Sequence, residues 1–328
     1  MSSTYASPPV PTALATVISF LSLDCLCVVA RFYSRIRPRQ SLGADDWLLI
    51  PSLFCVGGLA AIFLYGVEAE YLAHSFLPPP NERTDYETYD LEAAMAARAD
   101  RLSSARRLYF STLVLHVPTN GLIKLSLLSL YRRVFVYIRV WKDLRNLFFI
   151  VIIVLVALWM TIFIVLSGVT IAVDGQRYLH EGACVSGECP LAANLAYAYA
   201  ISTIVTDLVI LAIPLPFVWR LQLSTHKRIA VCGIFLLGSV ASVASVIRYL
   251  VSYVMKPREY DEELWVTAST YWLLLEVEIG LLAACLPTLR GLRKSEKVSS
   301  LLTRLRISRS RKKKYPSPYR WDTPESSV

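Results

Sequence analysis

The sequence predicts an all-α membrane protein: a seven-transmembrane-helix bundle with its N-terminus outside and its C-terminus cytoplasmic. The first observation is composition: 55% of the 328 residues are hydrophobic and 18% charged, with a mean hydropathy of +0.48. A soluble domain carries about 25% charged residues. The second is blocking, because the apolar residues fall into runs of roughly 20, long enough to cross the hydrocarbon core as helices. The third is charge alternation. Counting Arg220 at the inner end of span 5, segments assigned to the inside hold 24 Lys and Arg against 6 Asp and Glu, and those assigned to the outside hold 8 against 15. Basic residues resist translocation, so this asymmetry sets sidedness. It also absorbs the net charge of +9, which is a topology signal and implies no nucleic-acid partner.

The spans are expected at about residues 10–30, 47–67, 108–131, 147–173, 191–221, 229–255 and 264–289, within a transmembrane domain of residues 1–293. The connection Ala30–Trp47 orders the others. Its arginines Arg31, Arg35, Arg37 and Arg39 precede Gly43, Asp45, Asp46 and Trp47, and a loop this short and basic stays inside. Residues 1–10 lack a basic n-region, so span 1 is itself the expected membrane signal. Asp45, Asp46 and Trp47 are expected to cap span 2 at the inner surface, where acids suit a helix N-terminus. Residues 68–100 are acidic and polar and read as an outer loop; residues 91–108 read as a surface helix or an extension of span 3. Span 3 ends in Arg132 and Arg133, and Arg139, Lys142 and Arg145 keep the next loop inside. Span 4 is the most uniformly apolar. Residues 174–190 belong outside, with Arg177 their one basic residue. Pro214 and Pro216 are expected to kink the inner end of span 5. Lys227 and Arg228 mark the next inner loop, and acidic residues 259–263 lie outside before span 7.

The tail, residues 294–328, is basic. Val298, Leu301, Leu302 and Leu305 fall on one helical face, and a basic run over 309–314 follows. This reads as a short amphipathic helix on the anionic lipids of the inner leaflet, at about 1 kcal/mol per basic residue near the surface. A solvated tail is the plainer alternative.

Seven cysteines are present. Cys25, Cys27, Cys55, Cys232 and Cys285 lie in apolar spans and are expected to pack as small hydrophobes. Cys184 and Cys189 share one outer loop and are the candidate disulfide, open between pairing and free thiols. His74, His116, His180 and His226 are scattered, so no metal site is expected, and no cofactor. Span 7 holds no lysine for a retinal Schiff base.

Ionisable residues at bilayer depth cost roughly 3 kcal/mol or more each and seek partners or water. Asp24, Lys124, Asp207, Arg248 and Glu276 form the expected polar core. At about 1.5 Å per residue, the first three lie roughly 21–24 Å below the outer surface. One reading is neutralised glue, with Lys124 paired to Asp207 or Asp24 and Arg248 to Glu276. The other is a polar site that rearranges when a ligand binds. Glu276 and Glu278 point about 200° apart, which excludes an acid–base pair on one face.

Taken together, Arg31-Phe32-Tyr33-Ser34-Arg35, Leu42-Gly43-Ala44-Asp45-Asp46-Trp47, Lys124-Leu125-Ser126 and Leu130-Tyr131-Arg132-Arg133 form an ordered series. It continues through Asp207, Pro214-Leu215-Pro216, Gly238, Arg248, Trp265, Trp272, Glu276 and Ala284-Cys285-Leu286-Pro287. In this series the chain resembles the fungal rhodopsin-like seven-helix membrane proteins, the satratoxin-cluster type that overlaps the Pth-type G-protein-coupled receptors. The likeness covers residues 10–293 and is best near the inner face. Departures cluster outside, at Gly66-Val67-Glu68-Ala69-Glu70 and before Cys184. The inner-face motif is then Arg31, Arg35, Gly43, Asp45, Asp46 and Trp47.

The expected function is a receptor-like signalling protein of the plasma membrane, ahead of an endomembrane location, without retinal and without enzyme activity. A G-protein α subunit is the candidate partner at Arg132 to Arg145 and Lys227. The alternatives are a membrane-embedded, acid-driven cyclase built on Asp24, Asp207, Glu276 and Glu278, or a transporter tied to secondary metabolism. Against a transporter, no inverted repeat is evident.

Overall fold

The computed structural model describes residues 10–36, 41–72, 91–135, 142–180, 190–213, 238–240, 242–251 and 264–286. Their helices are α1 (Val10–Ile36), α2 (Ala44–Trp47), α3 (Leu49–Glu68), α4 (Leu91–Phe135), α5 (Lys142–His180) and α6 (Pro190–Ala212). Two more follow, α7 (Gly238–Val251) and α8 (Leu264–Leu286). Among the described residues six helical segments are long and apolar enough to cross a membrane. The expected sixth span is represented by the shorter α7. Pro214, Pro216, the Cys184–Cys189 pair and the basic tail lie outside the described residues.

One boundary differs from expectation, for a physical reason, and one open alternative is resolved. The helix of span 1 continues to Ile36, so Arg31 and Arg35 stand on its last two turns and not in a loop. Their guanidinium groups are neutralised there by the acids of α2, which removes the cost of keeping them helical at the membrane edge. Span 3 is preceded by helix from Leu91, so residues 91–108 extend α4 rather than forming a separate surface helix.

Side-chain pairings give the helix directions. Arg31 near the end of α1 meets Asp45 in α2, Arg133 near the end of α4 meets the same acid, and Arg31 reaches the carbonyl of Ala284 near the end of α8. These helix ends lie together. His116 meets Tyr199, and eight residues further along both chains Lys124 meets Asp207, so α4 and α6 run parallel. Ser245 and Arg248 of α7 meet Asp207 and Tyr199 in the reverse order, so α7 runs against α6.

Burial differs sharply between helices. Of the most apolar stretch of α8, 78% is buried, against 11% for that of α5. α8 is therefore central and α5 peripheral. The outward faces carry Leu26, Val29, Phe54, Leu155, Leu158, Ile162 and Val165, which is the surface a bilayer solvates. One apolar cluster joins α1, α3, α4 and α8 through residues such as Val56, Phe63, Leu274 and Leu281. A second joins α4, α5 and α6 through Leu128, Phe149, Val156 and Ile210. The polar groups lie between and below these clusters.

Candidate functional site

At the end where α1, α4 and α8 finish, the short helix α2 presents two adjacent acids, Asp45 and Asp46, both buried. Gly43 precedes the helix, and the Asp46 carboxylate accepts its N–H at 3.2 Å, the half of a capping box that a glycine allows. The acids do more than cap. Arg31, fully buried, donates from Nε to Asp46 Oδ1 at 2.8 Å and from Nη2 to Asp45 Oδ2 at 2.8 Å. Its Nη1 donates to the Ala284 carbonyl at 2.6 Å. Arg35 adds a contact to Asp45 Oδ2 at 3.3 Å. Arg133 reaches Asp45 Oδ1 at 3.3 Å and Asp46 Oδ2 at 3.5 Å, and donates to the Ser41 carbonyl at 2.6 Å. Ser126 donates to the Asp45 carbonyl at 2.7 Å. All four carboxylate oxygens are engaged. This clasp ties α1, α2, α4 and α8 together. Trp47 lies on its outer side and is exposed.

The second network lies inside the bundle. His116, Asn120 and Lys124 follow one another at intervals of four on α4, so they share a face. Lys124, 2% exposed, pairs with Asp207 Oδ1 at 3.0 Å and donates to Thr206 Oγ1 at 2.6 Å. It also donates to the Thr203 carbonyl at 3.2 Å, and its ammonium lies 4.9 Å from the centre of the Trp159 ring, an electrostatically favourable placement. Ser245 donates to Asp207 Oδ2 at 3.2 Å. Arg248 donates from Nε to Glu276 Oε2 at 2.7 Å, and Asn120 donates to Oε1 at 3.1 Å. His116 Nε2 stands 3.7 Å from the same Glu276 Oε2, and its Nδ1 shares a 3.0 Å hydrogen bond with the Tyr199 hydroxyl. Tyr199 stacks on Trp159 at 5.6 Å, which links the two ion pairs laterally.

The two pairs balance their charges, but the network is not saturated. Arg248 Nη2 and His116 Nε2 are buried without a hydrogen-bond partner. A cavity of about 60 Å³ adjoins the pairs, lined by Asn120, Lys124, Asp207, Ser242, Glu276 and Gly280 among others. That volume admits a few water molecules or a small polar group. Among the described residues no three His, Cys, Asp or Glu side chains converge as metal ligands would.

Of the expected polar core, Lys124 and Asp207 pair, as do Arg248 and Glu276. Asp24 does not join them. It is fully buried on α1, and neither of its carboxyl oxygens has a hydrogen-bond partner. Glu276 and Glu278 indeed serve different surroundings. Sequence reasoning did not single out Arg133 as a clasp arm, the Ala284 carbonyl as an acceptor, or His116, Asn120 and Tyr199 as core members. The polar stripe at 116, 120 and 124 was the available signal for two of them.

Fold and site define a polytopic helical membrane protein with ion pairs buried between its helices. A family model described as the fungal rhodopsin domain matches residues 30–295. The chain belongs to that family. It is 27% identical over 300 residues to the polyenoic acids biosynthesis gene cluster protein Ba17b of Metarhizium anisopliae, covering 83% of this chain and 71% of that protein. It is 27% identical over 186 residues to a SAT4 family membrane protein of Emericella nidulans, covering 54% of this chain and 43% of the relative. It is 23% identical over 285 residues to Receptor GIN3 of Arthrobotrys oligospora, covering 86% and 62%. No solved structure matches.

Proposed function

We propose that the protein is a receptor-like signalling protein with seven spans, an outer N-terminus and a cytoplasmic tail, and that the Lys124–Asp207 and Arg248–Glu276 pairs are its switch. The observation that carries this reading is the unsaturated network beside its cavity. Five helices contribute to it, two buried nitrogens in it lack hydrogen-bond partners, and the cavity gives a polar ligand group or water room to compete for the same charges. Exchanging partners among four charges, three buried and Asp207 half-buried, is a discrete rearrangement, and a bistable element of that kind is what a signalling protein needs. The similarity to a protein named a receptor adds weight. The bundle end carrying Arg132, Arg133, Lys142 and Arg145 is the proposed docking face for a G-protein α subunit, and the plasma membrane the proposed location.

The test is association with a panel of fungal G-protein α subunits in reconstituted membranes, with protease protection of a C-terminal tag to establish sidedness. Coupling that is lost on charge reversal across Arg132 to Arg145 is expected. Failure to couple to any subunit, or a tag on the outer face, would defeat the reading. A second reading, a membrane-embedded enzyme of secondary metabolism, is favoured by the relative named for a biosynthetic gene cluster. It requires that Glu276→Gln and Asp207→Asn alter metabolite profiles.

A further inference from the structure

The acids that the described residues hold inside the bundle, buried or half-buried, divide into two kinds. Asp45 and Asp46 meet arginines, Asp207 meets Lys124, and Glu276 meets Arg248. Asp24 and Glu278 meet no base. Asp24 is 0% exposed and neither of its carboxyl oxygens has a hydrogen-bond partner; Glu278 is 1% exposed and its Oε1 has none. The two stand on neighbouring helices, α1 and α8, which meet on either side of them, at Thr16 and Tyr271 (3.2 Å) and at Arg31 and Ala284 (2.6 Å), so the two carboxyls lie at one level of the bundle. Both helices belong to the apolar cluster with Val56, Leu59, Leu274 and Leu281, and both cross the membrane by length and composition. The other titratable groups near them are Cys27 on α1 and Cys285 on α8, with Arg31 and Asp46 of the clasp acting on Cys285. Arg31 is already committed to Asp45, Asp46 and the Ala284 carbonyl, so it is not free to turn upward.

Two ionised carboxylates at one level of adjacent helices in such a setting are untenable: burial penalises each charge, and each penalises the other. Apolar residues at these positions would avoid the cost altogether, so the pair demands a positive partner. We propose that Asp24 and Glu278 form an intramembrane binding site for a monovalent cation, either a proton shared between the carboxyls or a sodium ion between them. The occupant joins α1 to α8, and its loss leaves two repelling charges on the helices that the clasp holds together at their ends. This site is distinct from the Lys124 and Glu276 network and does not depend on the receptor reading.

The test uses the purified full chain in detergent, with choline chloride or sodium chloride as the only salt. A folded state that binds a cation the unfolded chain does not hold is stabilised by that cation. If the occupant is a proton, the unfolding temperature in choline falls by several degrees as pH rises above neutrality. Sodium does not restore it, and infrared spectra show a protonated-carboxyl C=O band. If the occupant is sodium, sodium raises the unfolding temperature at neutral and alkaline pH and the band is absent. In either case the response is lost in Asp24→Asn/Glu278→Gln, whose amides keep shape and hydrogen-bonding capacity without charge. A double variant that keeps the wild-type pH and sodium responses overturns the site. Should the double variant fail to accumulate, Asp24→Asn alone is read the same way. A wild type with neither a protonated-carboxyl band nor a sodium response overturns the site whatever the variants do.

Discussion

The clasp at the helix ends and the network inside the bundle use the same chemistry to opposite ends. Both join helices distant in sequence through buried Arg or Lys and carboxylate groups. In the clasp the two acids are neighbours on one turn, three guanidinium groups surround them, and every carboxylate oxygen has a donor. In the inner network two acids from two helices meet two bases from two others, with a cavity beside them and two nitrogens without hydrogen-bond partners. The planar, five-donor guanidinium of Arg31 suits the first arrangement, because one side chain satisfies two acids and a carbonyl at fixed angles. The ammonium of Lys124 suits the second, since its charge is compact and its stem can swing. A saturated network has one good arrangement; an unsaturated one has several of similar energy.

The contrast is broken most directly at Arg31. Arg31→Gln leaves Asp45 and Asp46 buried with only the longer contacts to Arg35 and Arg133. Breaking a buried pair by removing one partner costs about 3–5 kcal/mol. Thermal unfolding in detergent should show the largest loss of any substitution considered, and little folded material is expected. Arg31→Lys should not rescue it, because an ammonium cannot reach Asp45, Asp46 and Ala284 with a guanidinium's fork. Near-wild-type stability in either variant would show that the clasp does not hold the helix ends.

Lys124→Met comes next. It strips Asp207 of its base but leaves Ser245 as a donor, and the Asp207 side chain is 18% exposed, so the loss should stay below that of a fully buried pair. Adding Asp207→Leu should return most of the stability, since an apolar pair often substitutes well for a buried ion pair. Signalling should not return with it. Recovery of both would reduce the inner network to structural glue.

What the sequence made legible follows from how each signal arises. The all-helical, membrane-spanning class is written in apolar runs, which are local, and among the described residues six helices long and apolar enough to cross a membrane answer to them. The place of Asp45 and Asp46 in the first turn of a short helix is decided within four residues. Their clasping by Arg133 is not, since that contact spans 87 positions for Asp46 and 88 for Asp45 and depends on how α4 packs. For the same reason Lys124 had two candidate partners at one depth. Depth along the membrane follows from counting residues, but which face of a helix meets which neighbour does not. The structure chose Asp207 and left Asp24 to Glu278. The extension of α1 through Arg35 was hidden because its charges look like a loop until their counter-charges are in place.

The gentlest test compares two glycines. At Gly43 an added Cβ would run into the Asp45 Oδ1 carboxylate oxygen and stand 2.9 Å from Arg133 Nη1. Those groups are fixed by their own ion pairs, so Gly43→Ala must displace one and should cost about 1–3 kcal/mol, as overpacking usually does. At Gly280 a Cβ would meet Ile123 Cγ2 at 3.5 Å and Cδ1 at 3.9 Å, which is ordinary contact. Gly280→Ala should therefore leave stability within about 1 kcal/mol of wild type, with helix propensity acting slightly in its favour. Yet Gly280 lines the cavity beside Glu276 and Lys124, so a methyl group takes space from whatever the charges exchange with. The expected outcome is an unchanged unfolding temperature with a weakened response in the coupling assay. If Gly280→Ala unfolds early, the inner network is packed as tightly as the clasp. If it signals normally, the cavity is not where the charges find a new partner.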